Sequence, residues 1–311
     1  MYERDVYKRQ DLVRVNGTPI ETRDATTPKK DTGPDPSRDA ETPIIDSGPR
    51  CDPQKPFGPL EIAPGFDPAT IVRNGVRSRD ELEAYFIAGP SAQAAELRQV
   101  KRTSRTQSWS PSVAVAVTPT PNAALSLVAG GRKLYYYGCS SLSPLTCENY
   151  VITRNSTTDA FTGAGKIVAQ GAQVQVDLFV VDTDDTAYFS ALVMDGGAHT
   201  PIFRAPTNAG GIVFNLQEIV PVLDVISQDD RPILNGTETA IYFGSRRPGG
   251  GGSAMDIWVA RRASRTQPFS EAVAVPELSS VGTDYPTWVA DDDCEIYVSR
   301  ADRIYLSKRP L

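Results

Sequence analysis

Apolar positions in this chain alternate with polar ones instead of recurring at helical spacing. In Ile241 to Phe269, IYFGSRRPGGGGSAMDIWVARRASRTQPF, an aromatic strand runs into a glycine-rich loop. A second alternating run, Asp256 to Ala260, follows, then a basic Ser/Thr turn and a closing aromatic. Alternation over short runs bounded by turn residues predicts half-buried strands. Weaker versions of the pattern occur at four other places. Their strand tyrosines are Tyr85, Tyr136, Tyr188, Tyr242 and Tyr297, spaced 51, 52, 54 and 55 residues apart. The closing aromatics Phe57, Trp109, Phe161, Phe214 and Phe269 keep the same beat, at 52, 52, 53 and 55. The turn repeats too, TSRTQSWS at 103–110 matching ASRTQPFS at 263–270. A period near fifty residues filled with short strands predicts propeller blades and not a helical solenoid.

Each unit supplies an outer strand after the closing aromatic, then an inner strand, the tyrosine strand and a strand like Asp256 to Ala260. In the last unit these read SEAVAVPEL, DYPTWVA, CEIYVSR and RIYLSKR. No further outer strand follows the last of them, while GPLEIA, Gly58 to Ala63, has no blade in front of it. Pairing the two leaves no open edge. The expected fold is therefore all-β: a five-bladed β-propeller of four-stranded antiparallel blades, its ring closed by strand 58–63 joining the last blade. Helical periodicity is nearly absent, one turn being allowed near Ala84, Ala92, Ala94 and Ala95.

The repeat assigns residues 51–311 of this 311-residue chain to a single domain. Residues 11–50, rich in Thr, Pro, Asp and Gly, hold too little apolar surface to offset the entropy of ordering and read as a disordered tether. The first ten residues, MYERDVYKRQ, carry five charges and no apolar run. They read as a non-native segment, with the natural start and any signal or anchor missing. Asn16 to Thr18 and Asn235 to Thr237 match the N-glycosylation acceptor pattern. No run approaches eighteen apolar residues, so no transmembrane segment is expected. A net charge of −6, with no basic stripe, argues against nucleic acid or an anionic membrane as partner.

Four cysteines allow three connectivities. Cys139 and Cys147 bracket the loop after the second tyrosine strand and would staple its base. Cys51 and Cys294 remain. In the closed ring, Cys294 opens the last tyrosine strand, and Cys51 precedes the strand completing that blade. Antiparallel order puts both at one end, which predicts a latch.

Loops entering the inner strands and loops after the tyrosine strands share one face, around the mouth of the central channel. Counting back from the tyrosines places Arg73, Asn74, Asp177, Asp230, Arg231, Asp284 and Tyr285 there, the expected ligand-binding mouth. A carbohydrate-active reading would use Asp177, Asp230 and Asp284. VDLFVVDTDDTAYF, 176–189, resembles the segment of five-bladed glycoside hydrolases in which an Asp opens an inner strand. Such enzymes need an acid and a second carboxylate about 5 to 9.5 Å apart, and no Glu falls at a position suited to the acid. Asp182, Asp184 and Asp185 read as hairpin-turn residues. They suit calcium only weakly, lacking EF-hand spacing. The single histidine, His199, leaves zinc and a Ser-His-Asp triad short of parts and is expected in an exposed loop. Gly249 to Gly252 lacks the GK[ST] of a phosphate loop. No metal site and no cofactor are expected.

The unit IYFGSRRPGGGGSAMDIWVARRAS, together with VGTDYPTWVADDDCEIYVSR, resembles the WD40-like PD40 repeat of TolB-type bacterial propellers. Units four and five match closely and unit one partly; units two and three match in spacing and aromatics. The resemblance implies a monomeric, non-catalytic scaffold, exported, periplasmic, lipid-anchored or otherwise held at the cell envelope, that binds a protein or peptide partner. A carbohydrate-binding or glycoside-hydrolase-like propeller, with a glycan as ligand, is the alternative.

Overall fold

The computed structural model describes residues 50–311 except 67–70, 91–94, 129, 143–144, 170–175, 182–185, 192–198, 207–212, 215–217, 221–222, 224–227 and 251–253. The expected segments 1–10 and 11–50 therefore lie outside the described residues, Arg50 excepted. The described residues fall in one compact unit.

Strands dominate the described chain. It begins with β1 (Glu61–Ile62), then β2 (Ile71–Arg77), β3 (Glu83–Gly89), β4 (Glu96–Lys101) and β5 (Val113–Ala114). β6 (Thr120–Val128), β7 (Lys133–Leu142), β8 (Leu145–Thr153) and β9 (Thr162–Lys166) come next. β10 (Val168–Ala169) precedes β11 (Val176–Val181), β12 (Thr186–Ala191), β13 (Ile202–Pro206), β14 (Val213–Phe214) and β15 (Glu218–Ile219). The last group is β16 (Asp229–Leu234), β17 (Ala240–Ser245), β18 (Asp256–Arg261), β19 (Val273–Ala274), β20 (Asp284–Val289), β21 (Glu295–Arg300) and β22 (Arg303–Lys308).

Among the described residues these pair into five four-stranded sheets: β2-β3-β4-β5, β6-β7-β8-β9, β11-β12-β13-β15, β16-β17-β18-β19 and β20-β21-β22-β1. Every pairing within them is antiparallel. Their first strands lie side by side in cyclic order, β2 beside β6, then β11, β16, β20, and β20 beside β2 again. The sheets are thus arranged as a propeller. A short parallel pair, β10 with β14, links the end of the second unit to the third and was not foreseen.

Strands such as β3 and β17 are covered on both faces by neighbouring sheets, whereas the outer strands β1, β5 and β9 are largely exposed. All six residues of β17, AIYFGS, are buried. Tyr242, Ile257 and Val259 of the fourth sheet pack with Val289, Ile296 and Val298 of the fifth. Ala84, Phe86 and Val100 of the first meet Tyr297, Ile304 and Leu306 of the fifth in the same way.

The periodic residues are those that fasten one sheet to the next. Arg102 lies 4.4 Å over the Trp109 ring, Arg154 4.7 Å over Phe161, and Arg262 4.4 Å over Phe269. The Nε of each donates to a carbonyl in a hairpin turn, at Glu81, Gly131 and Glu238 respectively. The hydroxyl of the preceding unit's tyrosine joins in, Tyr242 donating to Asp293 at 2.5 Å and accepting from Arg309 at 3.2 Å. Unit three has Thr207 seven residues before Phe214, where the other units place arginine. Correspondingly, the buried hydroxyl of Tyr136, in unit two, has no hydrogen-bond partner among the described residues.

Closure uses the same parts. β1 pairs with β22, Glu61 opposite Leu306 and Ile62 opposite Tyr305. Hydrogen bonds from Gly58 N to Lys308 O and from Ala63 N to Ile304 O extend the contact over the expected strand 58–63. Arg309 lies 3.7 Å over Phe57, completing the clasp across the chain's two ends. Cys51 is disulfide-bonded to Cys294 with Cα atoms 5.6 Å apart. Cys139 is disulfide-bonded as well, and its register partner across the β7–β8 hairpin is Cys147.

Two local expectations are corrected. The outer strand expected from SEAVAVPEL is only β19, after which Pro276–Leu278 form a 3-10 turn. Proline removes a ladder donor and favours the first position of a helical turn, and Leu278 is fully buried there. The alanine-rich helical turn is not seen, since Ala84 lies in β3 and Ala95 just before β4; Ala92 and Ala94 are outside the described residues.

Candidate binding site at the channel mouth

All five first strands carry a break in register at comparable depth. The ladder jumps between Arg73 and Gly75, between Pro121 and Leu125, between Val176 and Leu178, between Asp230 and Ile233, and between Pro286 and Trp288. Such bulges turn a side chain away from the ladder and recur beside binding sites. Three of the bulged residues have left-handed backbones, Asn74 at φ 47°, Ala124 at 44° and Arg231 at 54°. Asn adopts that region readily, whereas Ala and Arg do so only with strain.

Arg231 occupies the centre of this belt. Its Nη1 donates to Asn74 Oδ1 at 3.2 Å. β16 and β2 are not neighbours in the cycle, so the guanidinium crosses the space that the first strands enclose. Its plane lies 3.9 Å over the Tyr285 ring. Asp230 Oδ1 accepts from the Arg231 backbone N–H at 2.8 Å and from Ser190 Oγ at 3.1 Å. Burial pushes the Tyr285 phenol above its ordinary pKa; Asp230 adds to this, while Arg231 and Arg246 oppose it. Arg73 pairs with Asp302 at 2.7 Å, both being partly exposed.

The aspartates expected at the mouth do not share one environment. Asp284 is fully buried, paired with Arg300 and accepting the Ser280 N–H. Register equates Asp284 with Asp229 and not with Asp230, because Asp284 faces Arg300 and Asp229 faces Ser245 at the ends of their tyrosine strands. Asp229 is fully buried too, held by Arg247 and the Ser245 hydroxyl. Burial still leaves its carboxyl above the usual aspartate range. Asp230 instead shares its position with Tyr285. The backbone of Asp177 lies in β11, but its side chain is outside the described residues, as are Asp182, Asp184 and Asp185.

Among the described residues no group of three His, Cys, Asp or Glu side chains could hold a metal ion. His199 is buried, where an exposed loop was expected. The next residue, Thr200, bridges to Gln228 and accepts from Asp229 N, which draws the histidine in beside the fourth sheet. At Gly250 a Cβ would stand 2.0 Å from Asp256 Oδ2, so glycine there serves close packing over the buried Asp256.

No family model and no curated protein sequence matches the chain. Among solved structures it is similar to an endo-arabinase from Bacteroides thetaiotaomicron, with TM-score 0.51 and 12% identity over 81% of this chain and 98% of that one. A TolB-like protein from Agrobacterium tumefaciens aligns with TM-score 0.48 and 12% identity over 80% of this chain and 78% of that one. A thermostable family-43 glycoside hydrolase aligns with TM-score 0.49 and 12% identity over 80% and 91%. The fold is that of a β-propeller. At such identities the likeness extends to fold and no further. No helix among the described residues is long and apolar enough to cross a membrane.

Proposed function

We propose that this chain is a five-bladed, non-catalytic propeller of the PD40 type that binds a protein or peptide partner through its channel mouth. The observation carrying this reading is the state of the described mouth carboxylates. Asp284 is matched by Arg300, Asp302 by Arg73, and Asp230 by a hydroxyl and a backbone N–H. General acid–base chemistry needs a carboxyl free to reach substrate, and glycoside hydrolysis needs two facing each other. The enclosure of Asp284 therefore favours binding over the carbohydrate-active alternative with Asp177, Asp230 and Asp284. What the mouth offers instead is the Arg231 and Tyr285 pair, the side-chain types that anchor protein interfaces.

Disulfides persist in oxidising compartments, which supports a periplasmic, envelope or secreted location for a monomeric scaffold. The test is selection of random displayed peptides on the full chain, alongside a glycan-hydrolysis and retention screen. The reading expects peptides whose retention falls in Tyr285→Ala. Turnover or retention of a glycan that is lost with alanine at Asp177, Asp230 and Asp284 would replace it with the carbohydrate reading.

A further inference from the structure

Arg231 holds a donor that no described residue accepts. Its backbone N–H and Nη1 are bonded, but its Nε is buried without a hydrogen-bond partner among the described residues. An unmade bond to a buried polar group is destabilising and calls for a reason. The same residue has a left-handed backbone, φ 54°, and reaches Asn74 through a single bond of 3.2 Å. Strained backbone, unmade bond and a lone tether describe a side chain held in an expensive position across the channel. The opposing gain is its stacking on Tyr285.

We infer that Arg231 is the anchor of a carboxylate-binding site in the channel, and that the ligand is an acidic peptide. This rests on the peptide-binding reading above. The guanidinium leaves Asn74 and turns its Nε–Nη2 edge to the ligand, where two parallel N–H donors match the two oxygens of a carboxylate. Tyr285 remains beneath it as the platform. The bond to Asn74 is exchanged for a bidentate charged pair, and the unused Nε acquires an acceptor.

Shape and the nearest charge favour the carboxylate over phosphate. Arg231 lies beside Asp230, a carboxylate engaged by Ser190 and by the Arg231 backbone, while Arg246, exposed, is a second cation within electrostatic reach of Tyr285. A planar carboxylate is matched by one guanidinium edge, whereas a phosphate dianion adds a second charge facing Asp230. Arg73 is paired with Asp302 and supplies no compensating charge.

Two measurements test this on the full chain. In the first, the Nε–H signal of Arg231, assigned by its disappearance in Arg231→Lys, is followed by NMR during titration with acetate and, separately, inorganic phosphate. Acetate is expected to shift it saturably in roughly the millimolar range, and phosphate to shift it less. No shift with acetate, or an equal response to phosphate, overturns the inference. In the second, each peptide retained by the protein is remade with its carboxylates, side-chain and terminal, converted one at a time to amides. One conversion is expected to weaken binding about tenfold or more. Arg231→Gln, checked for an unchanged thermal midpoint, is expected to bind acid and amide forms alike. Continued discrimination by that variant, or indifference of the parent to every amide, overturns the inference. If no peptide is retained while acetate still shifts the signal, the peptide reading falls and the carboxylate site stands.

Discussion

Opening the Cys51–Cys294 bond removes a cross-link between residues 243 apart in sequence. A bond closing so long a loop restricts the unfolded chain strongly, by about 5 kcal/mol in the chain-entropy treatment. The same treatment assigns about 2.5 kcal/mol to a Cys139–Cys147 hairpin staple, whose residues are 8 apart. Unfolding entropy near 2.1 cal/mol/K per residue, over roughly 260 folded residues, amounts to about 0.55 kcal/mol/K. The two losses then become falls in melting temperature of about 9 °C and about 5 °C. Contacts at the closure survive in the serine variant: β1 on β22, Arg309 over Phe57, and Ser307 Oγ donating to Gly58 O. The folded state should therefore keep its near-ultraviolet circular dichroism while its midpoint drops. Calorimetry of the parent, Cys51→Ser/Cys294→Ser and Cys139→Ser/Cys147→Ser proteins under non-reducing conditions reads both numbers. A latch variant that melts no lower than the hairpin variant would refute the account of closure as a constraint on the unfolded ring.

Arg309→Met removes the guanidinium from the Phe57 ring and its bond to the Asp293 carbonyl. Urea unfolding should show a loss of about 3 kcal/mol, and a loss no larger than that of an exposed arginine would deny the clasp its role. Tyr242→Phe should cost about 1.5 to 3 kcal/mol, because its hydroxyl bonds the buried Asp293, whereas Tyr136→Phe should be neutral or stabilising, since that hydroxyl has no partner among the described residues. Equal effects at the two tyrosines would contradict the described seam. Asp284→Asn removes the buried charge facing Arg300, which keeps its bond to the Leu278 carbonyl, and should destabilise by about 1 to 3 kcal/mol without changing the affinity of any retained peptide. Burial pushes the Glu83 carboxyl up, but hydrogen bonds and charges from Arg154 and Lys101 outweigh it and hold the group below the usual glutamate range. A depressed carboxyl stabilises the fold above its unfolded pKa, about 4.3, and loses that contribution as pH falls below it. The acid-side slope of stability against pH should accordingly flatten in Glu83→Gln, and an unaltered slope would remove Glu83 from the acid response.

The architecture was legible because its repeated residues perform one repeated physical task. Tyr85, Tyr136, Tyr188, Tyr242 and Tyr297, like Phe57, Trp109, Phe161 and Phe269, sit where each sheet is fastened to its neighbour, so the packing repeat forced a sequence repeat. Closure by 58–63 and the pairing of Cys51 with Cys294 followed from counting strands. A third landmark was present and went unread. Arg50, Arg102, Arg154 and Arg262 each precede a closing aromatic by seven residues, and over Phe57 it is Arg309 that stacks. The bulges were hidden because a break in register leaves no residue signature. Asp230 and Asp284 were grouped as comparable carboxylates, although Asp229 and Asp284 each stand thirteen residues before their strand tyrosine, the equivalence that the ladder shows.

Function resisted the same method for a related reason. Periodicity reports what the copies share, and the copies share the clasps between blades. At the mouth they disagree: one depth of the ring carries Arg73, Leu178, Asp230 and Tyr285 in different units. A ring of near-identical blades has no preferred direction across its axis; what breaks its symmetry is the set of side chains that differ from blade to blade. Arg231 is such a departure, reaching Asn74 across the axis from a strained backbone while the other described bulges, at Ala124 and Thr287, carry short side chains. A ligand that reads this protein in one orientation has to read it there.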